Sequence, residues 1–225
     1  MNSLRIVFSK SKNAVFLTHI DVFNVFEQAF IRADIKIKYT EKKNSKPIIV
    51  FADPLPKGIE SVGEIVEVKL EEKLDIPYFV KQINSVLPSG LTVLNAEYYE
   101  DDNVNIMEKV YASTYLVSLI YDNNKFIDKT PRQIEEIKRN YINNLKKYLE
   151  QDKISIVKKS KSRMERIDIK SDIINFDFLL DGSLEITVCS GLRKKLDISN
   201  LMDGYFEYIS EKLNYSVKRT RILYA

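Results

Sequence analysis

The chain has 225 residues and a mass of 26.2 kDa; 44% of residues are hydrophobic, 30% charged and 11% aromatic, with six Gly and six Pro. This is a globular composition and excludes disordered, collagen-like and fibrous chains. One Cys and one His exclude an internal disulfide, a Cys/His zinc site and a three-cysteine iron–sulfur cradle built from this chain alone.

The formal net charge of +3 is unevenly spread. Residues 1–108 carry 13 Lys and Arg against 16 Asp and Glu, whereas residues 109–225 carry 22 against 16. A basic second half faces nucleic acid or an acidic protein, or is simply a Lys-rich solvated surface. Apolar runs such as Ile48 to Ala52 fall far short of the ~20 residues of a membrane span. The start, MNSLRIVFSKSKN, has no apolar secretory core, so a cytoplasmic protein is expected. The phosphate-loop, dinucleotide-fingerprint and nucleophile-elbow glycine motifs are all missing from the sequence.

In chain order, residues 4–8 (LRIVF) predict a strand. Thr18 then caps a helix, with Asp21 in the reciprocal capping-box position. Val22, Phe26, Ala29 and Ala33 recur along one face of that helix, with Phe23 and Phe30 beside them. Residues 35–39 read as extended, and Pro47 to Asp53 as a buried strand stopped by Pro54 and Pro56. A strand over 63–70 follows. Next comes a helix capped by Asp75 with Pro77 in its first turn, then the strand LTVLNAEYY. The acidic stretch 100–105 reads as a connection.

The second half repeats the order. Residues 111–121 alternate as a strand, and Thr130-Pro131-Arg132-Gln133 starts a long helix. Two short strands, ISIVKK and ERIDIK, flank the basic turn SKSR. Asp181-Gly182 signals a hairpin between strands at 174–180 and 183–188. Asp197 or Ser199 caps a last helix, and 215–224 closes as a strand. The expectation is an α+β protein of two tandem ferredoxin-like (βαββαβ) sandwiches, residues 1–108 and 109–225, the second with an inserted basic segment.

Several residues are candidates for chemistry. His19, beside Asp21 at a helix start, has the residue type for a general base or a substrate contact. Lys42, Lys43, Asn44 and Lys46 share a loop suited to phosphates. Glu60 and Glu64 flank a stiff Pro- and Gly-rich turn. Lys158, Lys159, Lys161, Arg163, Arg193, Arg219 and Arg221, with Lys194, Lys195 and Lys218, would form a phosphate-attracting surface if they cluster. Cys189, ending an apolar strand, reads as an inert core thiol.

Residues 8–70 carry a family resemblance. The matching runs are Phe16-Leu17-Thr18-His19-Ile20-Asp21, Arg32-Ala33, Leu55-Pro56-Lys57-Gly58 and Glu60-Ser61-Val62-Gly63-Glu64, with looser matches at Asp168-Ile169-Lys170 and Arg219-Thr220. They resemble an uncharacterised bacterial family of radical-SAM-linked proteins with a conserved domain of unknown function. A family loop of the pattern Tyr-Ser-x-Gly-Phe-Asn-Pro-His-Pro becomes Tyr39 to Pro47 here, keeping Tyr39, Asn44 and Pro47 but not the His.

Such proteins are encoded beside, or fused to, a radical SAM enzyme, often near a ribonuclease of the E/G type and a ribosomal protein. The resemblance therefore implies a non-catalytic accessory module with a radical SAM partner, no cofactor of its own, and an RNA or ribosome-linked substrate. It places the binding surface at His19, Asp21, Arg32, Tyr39, Asn44, Lys46, Glu60, Ser61 and Glu64. Fold-level analogy supplies an alternative: an endoribonuclease like those that process CRISPR repeats, with His19 as its base. A regulator that binds a small adenosyl ligand is a third reading.

Overall fold

A computed structural model describes residues 2–41, 43–159 and 164–225, with the backbone alone for Lys158, Lys159 and Met164. The fold is α+β. Among the described residues there are five α-helices and ten strands, most of the strands in a large mixed sheet. The chain divides into two compact units. The first comprises the chain up to Ser113, Gly191–Arg193 and Lys218–Ala225; the second comprises Thr114–Ser190 and Lys194–Val217.

In the first unit, β1 (Ser3–Lys10) leads through a 3-10 turn to α1 (His19–Arg32). β2 (Ile49–Phe51), β3 (Glu60–Lys69), α2 (Ile76–Val86), β4 (Leu91–Tyr98) and the single turn α3 (Ile106–Lys109) follow. Both long helices begin where their caps dictate. The Thr18 hydroxyl accepts from the Asp21 N–H at 3.1 Å while the Asp21 carboxylate accepts from the Thr18 N–H at 2.7 Å. Asp75 accepts from the Tyr78 N–H at 3.0 Å, and Pro77, lacking a donor, costs nothing in that first turn.

The strand order is β4-β1-β3-β10, with β2 also on β3. β1 runs antiparallel to both neighbours, Ile6 facing Val66 on β3 and Ala96 on β4. β10 (Asn214–Tyr224) runs parallel to β3 through Lys218↔Glu60 and Arg219↔Ser61. Period-two alternation turns Leu4, Ile6 and Phe8 inward against Val22, Phe26, Ala29 and Phe30 of α1. Phe8 and Phe26 meet edge to face at 4.8 Å.

Two elements are shorter than the sequence suggests. Residues 35–39 make only isolated bridges, Ile37↔Leu70 and Tyr39↔Pro47, and β2 is three residues long. Pro47 and Pro54 flank it and supply no ladder donors, which limits its pairing.

The second unit holds most of β5 (Val110–Ile120), then α4 (Pro131–Glu150), the β6 (Ser155–Lys159) and β7 (Met164–Asp168) hairpin, β8 (Ile173–Phe178), β9 (Leu184–Cys189) and α5 (Ile198–Ile209). Its strand order is β10-β5-β9-β8, with β6 and β7 forming a separate antiparallel pair. The expected capping box starts α4: the Thr130 N–H donates to Gln133 Oε1 at 2.9 Å, and the Gln133 N–H returns to the Thr130 hydroxyl. Gly182 takes the positive φ (81°) of the β8–β9 turn. Asp197 occupies the N-cap position of α5 without a side-chain cap bond. Leu145, Tyr148, Leu149, Leu201, Met202 and Tyr205 join Ile154, Ile156, Ile186 and Val188 in the core. No helix among the described residues is long and apolar enough to cross a membrane.

Candidate ligand site in the first unit

The site begins with charges that the fold carries indoors. Lys10 ends the inward series Leu4, Ile6, Phe8 and is buried, its ammonium donating to the Leu17 carbonyl at 2.8 Å. Asp53 lies just beyond β2, in phase with the inward Ile49 and Phe51, and is also buried. Glu64 comes from β3. Arg219 comes from β10 and has no exposed surface.

Arg219 forks both carboxylates. Its Nη1 donates to Asp53 Oδ2 at 2.6 Å and its Nη2 to the Asp53 carbonyl at 2.7 Å. Its Nε and Nη2 donate to the two Glu64 oxygens at 2.8 and 2.5 Å. This planar, bidentate geometry suits a guanidinium and not an ammonium. Two cations and two carboxylates leave the cluster formally neutral.

The backbones at this junction are pressed together. Ser61 donates its hydroxyl to the Arg219 carbonyl at 3.1 Å. A Cβ at Gly63 would lie 2.5 Å from the Thr220 carbonyl oxygen, so only glycine lets β3 approach β10 this closely.

His19, the first helical residue of α1, overlooks the cluster. A small pocket of about 20 Å³, open to solvent, is lined by the polar Lys10, His19, Asp53 and Glu64 and by the apolar Phe8, Phe51 and Leu55 among others. The imidazole stands edge-on to Phe51 at 5.2 Å. Burial first, and then the nearby Lys10 charge, push its pKa below the ordinary 6.5. Burial likewise pushes the Lys10 ammonium down, with the Glu64 carboxylate pulling the other way. Asp21, exposed, is held below the usual carboxylate range by the Thr18 hydroxyl and then the Thr18 N–H.

His19 is therefore a neutral imidazole at pH 7, able to donate one hydrogen bond and accept another. No carboxylate hydrogen-bonds its ring among the described residues, so nothing there raises its basicity as a catalytic dyad would. The sign for stability follows. A neutral imidazole preferred by the fold contributes above pH 6.5, and that contribution is lost as the pH falls below it. Since His19 is the only histidine, one proton NMR signal reports it. Its titration midpoint is expected below 6.5, and Lys10→Met should move it upward without restoring 6.5, because burial is the larger cause. A midpoint at or above 6.5 in the wild type contradicts this account.

Of the residues expected to form a binding surface, the structure brings His19 and Glu64 to this pocket, while Ser61 is buried against the Arg219 backbone. Asp21 is committed to the cap. Arg32 donates to the Val86 carbonyl at 2.7 Å, fastening the end of α1 to the end of α2. Glu60 faces Lys218 at 3.7 Å on the outer part of the junction. Tyr39, Asn44 and Lys46 sit on an exposed loop closed by the Thr40 N–H to the Lys46 carbonyl, and line no part of the pocket.

The basic surface also divides. Arg219, expected to face phosphates, is sealed inside by Asp53 and Glu64. Arg193 and Arg221 are exposed. Lys158 and Lys159 lie on β6, while Lys161 and Arg163 fall outside the described residues, as does Lys42. Sequence reasoning missed Lys10 and Asp53 altogether. The available signal was phase: both continue the inward alternation of their strands.

Two solved structures are distantly similar. A chain of a Cbf5-Nop10-Gar1 complex is 12% identical, with a TM-score of 0.46 over 97% of this chain and 48% of that one. A protein of unknown function from Galdieria sulphuraria is 10% identical, with a TM-score of 0.26 over 97% and 98%. This chain thus spans about half the length of the first, and at these scores neither carries an argument about fold or function. No curated protein matches the sequence significantly. A family model described as an uncharacterised protein conserved in bacteria (DUF2344) does match, over residues 3–198, and the chain belongs to that family.

Proposed function

We propose that this chain is a non-catalytic substrate-binding module that works beside a radical SAM enzyme on an RNA or ribosome-linked substrate. The observation that carries the binding reading is the commitment of the ionic groups around the pocket. Arg219, Asp53 and Glu64 are consumed in mutual hydrogen bonds, Lys10 is tied to the Leu17 carbonyl, and among the described residues no carboxylate hydrogen-bonds the imidazole of His19. Such a site offers fixed polar contacts and an apolar wall, with its carboxylates and guanidinium already committed to one another.

The radical SAM partner comes from the resemblance of residues 8–70. It agrees with a sequence whose lone Cys189 cannot hold an iron–sulfur cluster, which leaves that chemistry to another polypeptide. We also read each unit as a ferredoxin-like sandwich, a reading supported by the orders β4-β1-β3-β2 and β10-β5-β9-β8.

The test is affinity capture of the tagged chain from its own cells. The expected companion is an iron–sulfur protein that cleaves S-adenosylmethionine reductively, and His19→Ala should weaken the capture of substrate but not of that protein. If no such companion is recovered and the purified wild type alone cleaves RNA in a His19-dependent way, the endoribonuclease reading replaces this one.

A further inference from the structure

Among the described residues three buried side-chain polar atoms lack a hydrogen-bond partner: Ser113 Oγ, Tyr148 OH and Gln151 Nε2. Two of these residues, Tyr148 and Gln151, line the same pocket, a separate one in the second unit with a volume of about 310 Å³. Unpaired buried polar atoms are costly and uncommon in native proteins, so two on residues that line one concavity call for an explanation.

The pocket is built around them. Tyr148 on α4 is only 3% exposed, and Gln151 caps the end of that helix. Lys153 follows in the chain, and Arg166 projects from β7. Glu207 on α5 is the opposing charge, holding Arg166 at 3.0 Å, so two cations face one carboxylate. Tyr208, about half exposed, offers a ring face at the rim, its centroid 5.5 Å from that of Tyr148. The helix makes room for the hydroxyl. A Cβ at Gly204 would lie 2.3 Å from the Tyr148 oxygen and 2.7 Å from Ile156 Cγ2. Burial, and then the Glu207 charge, raise the Tyr148 pKa, which keeps the phenol protonated and a donor.

We infer that this pocket binds a nucleotide. Its phosphate would accept from the Tyr148 hydroxyl and the Gln151 amide in the field of Lys153 and Arg166, and its base would stack on Tyr208. Two neutral donors and two cations on residues lining one pocket suit an oxyanion with several acceptor oxygens. An exposed tyrosine face beside them suits a base without selecting among bases. The same chemistry is offered by a free nucleoside monophosphate and by one unit of a single-stranded RNA. This inference uses none of the first-unit residues and stands or falls apart from the reading of His19.

Calorimetric titration of the full chain with inorganic phosphate, adenosine monophosphate and a single-stranded RNA about eight nucleotides long tests it. Binding of adenosine monophosphate supports the inference with a free nucleotide as ligand. Binding of the oligonucleotide alone supports it with RNA as the source. In either case Gln151→Leu and Tyr148→Phe should each weaken binding at least about tenfold, and Glu207→Gln should strengthen it. Tyr148→Phe should also leave the melting temperature of the ligand-free protein unchanged or raise it by about 2–4 °C, since it removes a buried hydroxyl without a partner. Lost binding with undiminished stability separates a ligand contact from a folding role. The inference is overturned if neither nucleotide probe binds, if inorganic phosphate binds as tightly as the monophosphate, or if Tyr148→Phe and Gln151→Leu bind like the wild type.

Discussion

Replacing Arg219 by Met is expected to destabilise the first unit by about 3–5 kcal/mol, the usual cost of removing one side of a buried ion pair. Met fills the space of the aliphatic stem but supplies no donor. Asp53 and Glu64 then lose the fork that holds them, while Lys10 remains in the cluster. In thermal denaturation the loss should appear as a fall on the order of 10 °C. Arg219→Lys should recover little, because an ammonium cannot serve both carboxylates with the same planar geometry. Adding Asp53→Asn and Glu64→Gln to Arg219→Met should recover a large part, since the uncompensated charges disappear with their partner. If the single Met variant melts like the wild type, the cluster does not hold the site together.

Phe26→Ala should cost a comparable 3–5 kcal/mol, combining lost burial with the cavity left behind. Phe26 has no exposed surface and sits at the centre of an aromatic group, 4.8 Å from Phe8, 5.8 Å from Phe51 and 6.2 Å from Phe30. Phe51 is also the ring against which His19 stands. The substitution therefore reaches the pocket through one intermediate side chain. Beyond the lower melting temperature, the NMR titration midpoint of His19 should rise toward 6.5 as Phe51 relaxes and water reaches the imidazole. Leu74→Ala, partly buried at the periphery of the same core, should lower stability without moving that midpoint. A shift in both variants would mean that the midpoint reports general loosening.

What could be read from the sequence was local. Thr18 with Asp21, Thr130 with Gln133 and Asp75 with Tyr78 fix helix starts through bonds spanning three residues, and each cap sits where its pattern placed it. The inward stripe of α1 was also legible, with Phe30 joining Val22, Phe26 and Ala29 in the core while Ala33 became the C-cap. The charge cluster was not. Arg219 and Glu64 are 155 residues apart, and only the parallel register of β10 on β3 brings them together. A cation in a Lys- and Arg-rich strand reads as surface until its counter-charges are known.

Lys10 and Asp53 went unnoticed for a different reason. Their strands' alternation aims them inward, but a charged residue at a strand end is ordinarily taken to mark the end of the buried face. The pair Tyr148 and Gln151 shows the limit more sharply. Tyr148 follows Tyr141 and Leu145 at helical spacing, yet nothing in that spacing says that its hydroxyl finds no partner.

The central claim, that this chain binds and another polypeptide reacts, is tested most directly by reconstitution. The captured iron–sulfur protein is supplied with S-adenosylmethionine, reductant and substrate, with and without this chain, and 5′-deoxyadenosine and modified substrate are counted. The account predicts modified substrate only when both proteins are present, none from this chain alone, and a loss on His19→Ala that is partly overcome by raising the substrate concentration. Substrate turnover by this chain alone, abolished by His19→Ala at any substrate concentration, would contradict it.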